Sequence, residues 1–125
     1  FRNVFYYIRA EFYIFINDRH CVHFAAAGGN LEIFNSFNYG DQICDFIDRD
    51  GNTPLHYAAK FGRVAIVKAI CVTGCTVTQH NRSGWTAGHY AASIGNVPIL
   101  AALHENGDEL NTRNPSAVPF LIYFL

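Results

Sequence analysis

The chain has 125 residues, half of them apolar and 15% charged, a balance that suits one packed domain and excludes a disordered segment. With a formal net charge of -1 and only two lysines, Lys60 and Lys68, it offers no electrostatic basis for nucleic acid or an anionic membrane surface as partner. Cys21, Cys44, Cys71 and Cys75 include no CxxC pair, so buried free thiols are expected instead of a secreted disulfide framework.

At the start, Phe1, Val4, Phe5, Ile8, Phe12, Phe15 and Ile16 follow helical spacing. Residues 1–19 are therefore expected to hold an apolar-faced helix or the remnant of a preceding repeat. No basic stretch followed by a cleavable apolar run opens the chain, and it contains no Met, so it reads as a piece of a longer protein.

From residue 20 the sequence repeats. Shifted by 33 residues, His56 lands on His23 and His89, Ala58–Ala59 on Ala25–Ala26 and Ala91–Ala92, and Gly62 on Gly29 and Gly95. Ile66 lands on Ile33 and Ile99, while Thr53 meets His20 and Thr86. Within the middle unit, Thr53 suits an N-cap and Pro54 the first helical position, where no N–H is needed. Leu55, Ala58 and Ala59 make an apolar stripe, and Gly62 can take the left-handed conformation that ends a helix. A second helix is expected over 64–72 with Val64, Val67, Ile70 and Cys71 on one face, closed by Gly74. Such a unit cannot bury its face alone, so stacking is obligatory.

The pattern DGNTPLHYAAKFG, followed by V-x-I-V-x-x-I and a glycine, resembles the ankyrin repeat. The resemblance covers about residues 20–113. It implies an all-α solenoid of stacked helix–turn–helix units joined by β-turn or hairpin loops, with units at 20–52, 53–85 and 86–118.

The first unit is divergent: HCVH replaces TPLH, a second helix is expected over 31–37, and its closing Gly40 comes one place early. In the third unit, Ala87 and Gly88 replace Pro and Leu. Gly88 forgoes a core side chain and adds about 1 kcal/mol of helix penalty, so this unit is expected to be the least stable. Pro98 is tolerated in the first turn of a helix. Residues 119–125 are expected to begin a truncated fourth unit. The charge-free stretch from Asn114 to Leu125 is shorter than the ~20 apolar residues of a membrane span.

Three equivalent histidines suggest a metal site, but neighbouring packed helices lie roughly 8–10 Å apart. Zinc needs ligands at ~2 Å, so one ion could not gather His23, His56 and His89. The resemblance implies instead that each imidazole bonds its own threonine and the adjoining turn: His56 with Thr53, His89 with Thr86, His23 less fully. Together with Pro54 these are expected to be structural residues. Cys21 between two histidines is explained by a helix start. Asp45, Asp48 and Asp50 fail as a calcium loop, because its first and twelfth positions would be Phe46 and Tyr57. Asn81–Arg82–Ser83 matches a glycosylation acceptor but lacks a secretory context, and Gly28–Gly29 lacks the further glycines of a phosphate loop. No catalytic site, metal or cofactor is expected.

The resemblance further implies a protein partner on the concave face formed by turn tips and first helices. Carried over, the positions are Arg49, Asp50, Asn52, Lys60 and Phe61, then Arg82, Ser83, Trp85, Ser93 and Ile94, with Asn17 and Arg19 from the first unit. Trp85 is expected to join Phe61 and Ile94 in an apolar centre ringed by Arg49, Lys60 and Arg82, the composition of a hot spot. The plainer alternative is that Trp85 only shields a neighbouring turn. The expected role is a protein-binding scaffold segment in the cytoplasm. The alternative is a spacer array in a protein whose catalytic or channel domain lies elsewhere.

Overall fold

A computed structural model describes residues 21–37 and 39–108, the side chain of residue 41 excepted. The expectations for 1–19 and 119–125, and those for Asn17, Arg19 and His20, lie outside the described residues. The helices are α1 (Cys21–Gly28), α2 (Leu31–Asn35), α3 (Pro54–Lys60), α4 (Val64–Cys71), α5 (Ala87–Ser93) and α6 (Val97–Glu105). A 3-10 helix, Gly40–Asp45, follows α2.

The helices pair as antiparallel hairpins and stack in file. First helices pack on first helices, α1 on α3 and α3 on α5, and second helices likewise, α2 on α4 and α4 on α6. Side-chain size explains the two layers. The inner layer meets through Ala26, Ala58, Ala59, Ala91 and Ala92, all fully buried, so these helices approach closely. The outer layer inserts Ile66, Val67, Ile70, Ile99 and Leu103, likewise fully buried. One apolar core runs unbroken through the units, as expected where each contributes a face to the next.

Local chemistry sets the helix ends. Thr53 and Thr86 each close a capping box: the threonine Oγ1 accepts from the backbone N–H of His56 or His89 at 3.3 Å. Asn30 and Asn96 cap α2 and α6, accepting from Ile33 and Ile99 at 3.1 Å; Arg63, their counterpart before α4, makes no such bond. Pro98 sits in the first turn of α6. After α3 the chain reverses at Gly62, with φ at +74°. This backbone region is costly for a residue carrying a Cβ.

Two details depart from the sequence expectation. Helix α4 buries Ile66, with Val67, Ile70 and Cys71, and leaves Val64 half-buried at its first turn. In the first unit, α2 ends at Asn35, where the Ser36 hydroxyl donates to the Ile33 carbonyl at 2.6 Å. Gly40 then opens the 3-10 helix and does not merely close the unit. That helix turns Ile43 and Cys44 into the core. Tyr39 bridges Phe37 and Phe46, with ring centroids 6.3 and 4.3 Å away. Tyr39 and Phe46 pack against the core.

Candidate functional site

The concave side is built from two turns and the helices they precede. In the first turn, the Asp48 carboxylate accepts from the backbone N–H groups of Asp50 and Asn52, both at 2.9 Å. It also takes the hydroxyl proton of Tyr57. In the second turn, Asn81 Oδ1 accepts from Ser83 at 3.0 Å and Trp85 at 2.9 Å. Its amide Nδ2 donates to Asn52 Oδ1 and to the Tyr90 hydroxyl, each at 2.9 Å. Arg82 N–H donates to the Asp50 carbonyl at 2.9 Å, so the two turns are joined directly. A Cβ on Gly51 would lie 3.1 Å from Arg82 N, which explains why this approach needs glycine at φ +78°.

The histidines tie the turns to the helices. His56 Nδ1 accepts from the Thr53 N–H at 3.0 Å, so its proton sits on Nε2, which donates to the Trp85 carbonyl at 2.9 Å. His89 Nδ1 accepts from the Thr86 N–H at 2.9 Å. His23 Nε2 lies 2.8 Å from the Phe46 carbonyl and 3.0 Å from that of Asn52, reaching the next turn although its own unit lacks the threonine. Two of the rings also meet the tyrosine 34 residues on: His23 and Tyr57 at 5.2 Å, His56 and Tyr90 at 6.0 Å. Burial pushes the His56 imidazole down to about 4, because charging it would cost solvation that only partly offsetting hydrogen bonds return. Among the described residues, no three His, Cys, Asp or Glu side chains gather as a ligand set.

In front of these turns lies a cleft of about 230 Å³ lined by Asp48, Asp50, Asn52, His56, Tyr57, Lys60, Phe61 and Tyr90. Four residues expected at a partner site, Asp50, Asn52, Lys60 and Phe61, therefore share one wall. The Lys60 ammonium stands 5.7 Å from the centre of the Phe61 ring and 5.9 Å from that of Tyr90. Tyr57 stacks on Phe61 at 6.5 Å. Ile94 is half exposed, and its Cδ1 lies beside Gly62, so it continues the apolar strip from Phe61. Ser93 donates its hydroxyl to the Tyr90 carbonyl at 2.7 Å. Arg49, Arg82 and Ser83 stand exposed at the turn tips, outside the cleft wall.

Trp85 packs against rings of the helix that follows it. Its ring lies 4.9 Å from Tyr90 and 5.8 Å, edge-on, from His89, and it is half-buried. Tyr90, not Trp85, faces the cleft beside Phe61. Asp48, Tyr57, Asn81 and Tyr90 were not among the expected site residues. The signal that could have found them is the same spacing of 33: Asp48 pairs with Asn81 and Tyr57 with Tyr90.

These features define a helical repeat solenoid whose imidazoles and turn carboxamides link one unit to the next. The family model for ankyrin repeats, in three copies, matches residues 22–114, and the chain belongs to that family. Ankyrin repeats are generally protein-interaction modules. A putative ankyrin repeat protein of Fowlpox virus (strain NVSL) is 35% identical over 51 residues, covering 41% of this chain and 36% of the relative. The match thus spans about a third of that relative's length. No helix among the described residues is long and apolar enough to cross a membrane.

Proposed function

We propose that the chain binds a protein partner along its concave face, with repeats at 20–52, 53–85 and 86–118 acting as one scaffold segment. The observation that carries this reading is the cleft in front of the turns. Its wall joins Phe61, 48% exposed, to the polar rim of Asp50, Asn52 and Lys60, and Ile94, 50% exposed, extends the apolar strip beyond it. An apolar centre with a polar rim is the arrangement of protein interfaces. Arg49, Arg82 and Ser83 at the tips extend that rim, and Trp85, half-buried beside Tyr90, adds apolar surface next to it. The role is recognition, not catalysis. The free thiols of all four cysteines suit a reducing compartment such as the cytoplasm.

Site-specific photo-crosslinking in cells tests the face. A benzophenone amino acid at position 61 or 94 is expected to capture one defined protein. The same group at Val72, 85% exposed at the end of the second helix, is expected to capture none. Equal capture from position 72 would overturn the assignment, and no capture from any position would favour the spacer role.

A further inference from the structure

The cleft in front of the turns holds hydrogen-bond donors that the fold does not spend. The backbone N–H groups of Ser83 and Trp85 fix Asn81 with its oxygen towards its own turn, so its amide points the other way. Asn52 and Tyr90 therefore both meet that amide with an oxygen, each at 2.9 Å. The Asn52 amide hydrogens and the Tyr90 hydroxyl hydrogen are left over, and no described residue accepts them. One unit earlier the outcome is the opposite, because the Tyr57 hydroxyl gives its hydrogen to Asp48. The surplus thus follows from asparagine at position 81 where the preceding turn has aspartate at 48.

Lys60 adds a third donor. Its exposed ammonium stands 5.7 Å from the centre of the Phe61 ring and 5.9 Å from that of Tyr90. Among the described residues it makes no ion pair and no hydrogen bond. Asn52, Lys60 and Tyr90 all line the same cleft. Of the two carboxylates there, Asp48 already accepts from three donors, and Asp50 stands exposed.

We propose that this cleft receives an Asp or Glu side chain of a protein partner, with an apolar neighbour of that residue lying on Phe61 and Ile94. The proposal rests on the concave face being the partner surface. A carboxylate presents two oxygens and accepts several hydrogen bonds, which matches unspent donors from Asn52, Lys60 and Tyr90. Its bond with the Lys60 ammonium is charged at both ends, the stronger kind. A partner's lysine or arginine would leave all these donors unmatched as the cleft closes over them, and would face Lys60. A phosphate dianion also accepts, but the charges of Asp48 and Asp50 oppose a second negative charge in the cleft. Lys60 with Arg49 and Arg82 at the tips outnumbers those two carboxylates, which favours a monoanion.

Selection of short random peptides, displayed with the C-terminus fused so that only side chains carry carboxylates, tests the choice. The purified protein is expected to enrich sequences with Asp or Glu beside an aromatic or aliphatic residue. In a C-terminally amidated peptide from that set, exchanging the acid for its amide should weaken binding by ~10-fold or more. Lys60→Glu, an exposed change that leaves the core alone, is expected to lose the acidic peptides and to enrich Lys or Arg at the same place. Tyr90→Phe should weaken the acidic peptide less than Lys60→Glu does. Absence of acidic enrichment, or the same peptides selected by Lys60→Glu, would overturn the proposal. Tighter binding of the peptide with phosphoserine in place of the acid would overturn it too, in favour of a phosphate site. Selection of acidic peptides without any capture from position 61 in cells would keep the carboxylate site and remove the protein partner. Capture from position 61 that Lys60→Glu leaves intact would do the reverse.

Discussion

The turns before α3 and α5 reach the same shape with different chemistry. Before α3, the anchor is Asp48, which can only accept; it accepts from two backbone N–H groups of its own turn and from the Tyr57 hydroxyl in the helix that follows. Before α5, the anchor is Asn81. Its oxygen repeats the two backbone bonds, while its amide donates outward to Asn52 in the preceding turn and to Tyr90. The carboxylate thus holds its own turn and the helix after it, whereas the carboxamide also fastens the preceding turn. The capping boxes behind the two turns are matched, and the imidazoles within them are both neutral by burial.

That neutrality gives the largest effect. His56 titrates near 4 in the folded protein against 6.5 for the free group. As pH falls from 6.5, the unfolded chain takes up a proton that the folded one refuses. Stability contributed by the neutral ring is full above 6.5 and is lost progressively towards 4, about 3 kcal/mol in all. His89, also lowered by burial, adds to the loss. Asp48 acts lower on the scale: burial raises its carboxyl, but Tyr57, the Asn52 and Asp50 N–H groups and His23 together outweigh this and hold it below 3.8. Its contribution is present above 3.8 and disappears only as pH falls through the lowered value. Urea midpoints at several pH values between 7 and 4 check this. A flat profile would contradict a sealed His56, and His56→Gln is expected to flatten the decline while lowering stability at pH 7.

Exchanging the anchors sharpens the comparison. Asn81→Asp removes both amide donations and sets a buried carboxylate against the half-buried Asn52 Oδ1, so that two acceptors face one another. The expected loss is about 2 kcal/mol. Asp48→Asn keeps an acceptor for the two N–H groups, and its new amide can donate to the Tyr57 hydroxyl as Asn81 does to Tyr90. Here the expected loss is below about 1 kcal/mol. Chemical denaturation of both variants measures the asymmetry, and equal losses would mean that the Asn81–Asn52 bond contributes nothing.

Much of this architecture can be read from residues whose chemistry is local. Thr53, Pro54 and Gly62 mark helix ends by their own backbone preferences, and the paired alanines mark a close approach whatever surrounds them. The residues that join one turn to the next are harder to read, because their partners lie far along the chain, 29 positions for Asn81 and Asn52. Asp48 looks like part of an acidic run until its carboxylate is seen beneath the turn. Trp85 reads from sequence as a turn-tip residue, and only the folded chain shows its ring beside Tyr90 and His89. The end of α2 was missed for a related reason: Phe37, Tyr39 and Phe46 stack only after the chain has folded back.

Gly88 shows the same limit and supplies the smallest effect. In the second unit, its place belongs to Leu55, which is buried in the core. By sequence, glycine there is a defect, and alanine should return about 1 kcal/mol of helix propensity. In the folded chain the space is filled by the buried side chain of Asp108. A Cβ on Gly88 would lie 2.6 Å from Asp108 Oδ2 and 3.5 Å from Thr86 Oγ1. Overpacking of this kind costs about 1–3 kcal/mol, so Gly88→Ala is expected to destabilise by about 1 kcal/mol net. Combined with Asp108→Ala, which empties the slot, the same alanine should become stabilising relative to Asp108→Ala alone. The change of sign between the two backgrounds is a coupling of the kind that contacting residues show. If Gly88→Ala raised the thermal midpoint of the otherwise unchanged protein, the glycine would be a plain packing defect and the third unit simply a weaker copy of the second.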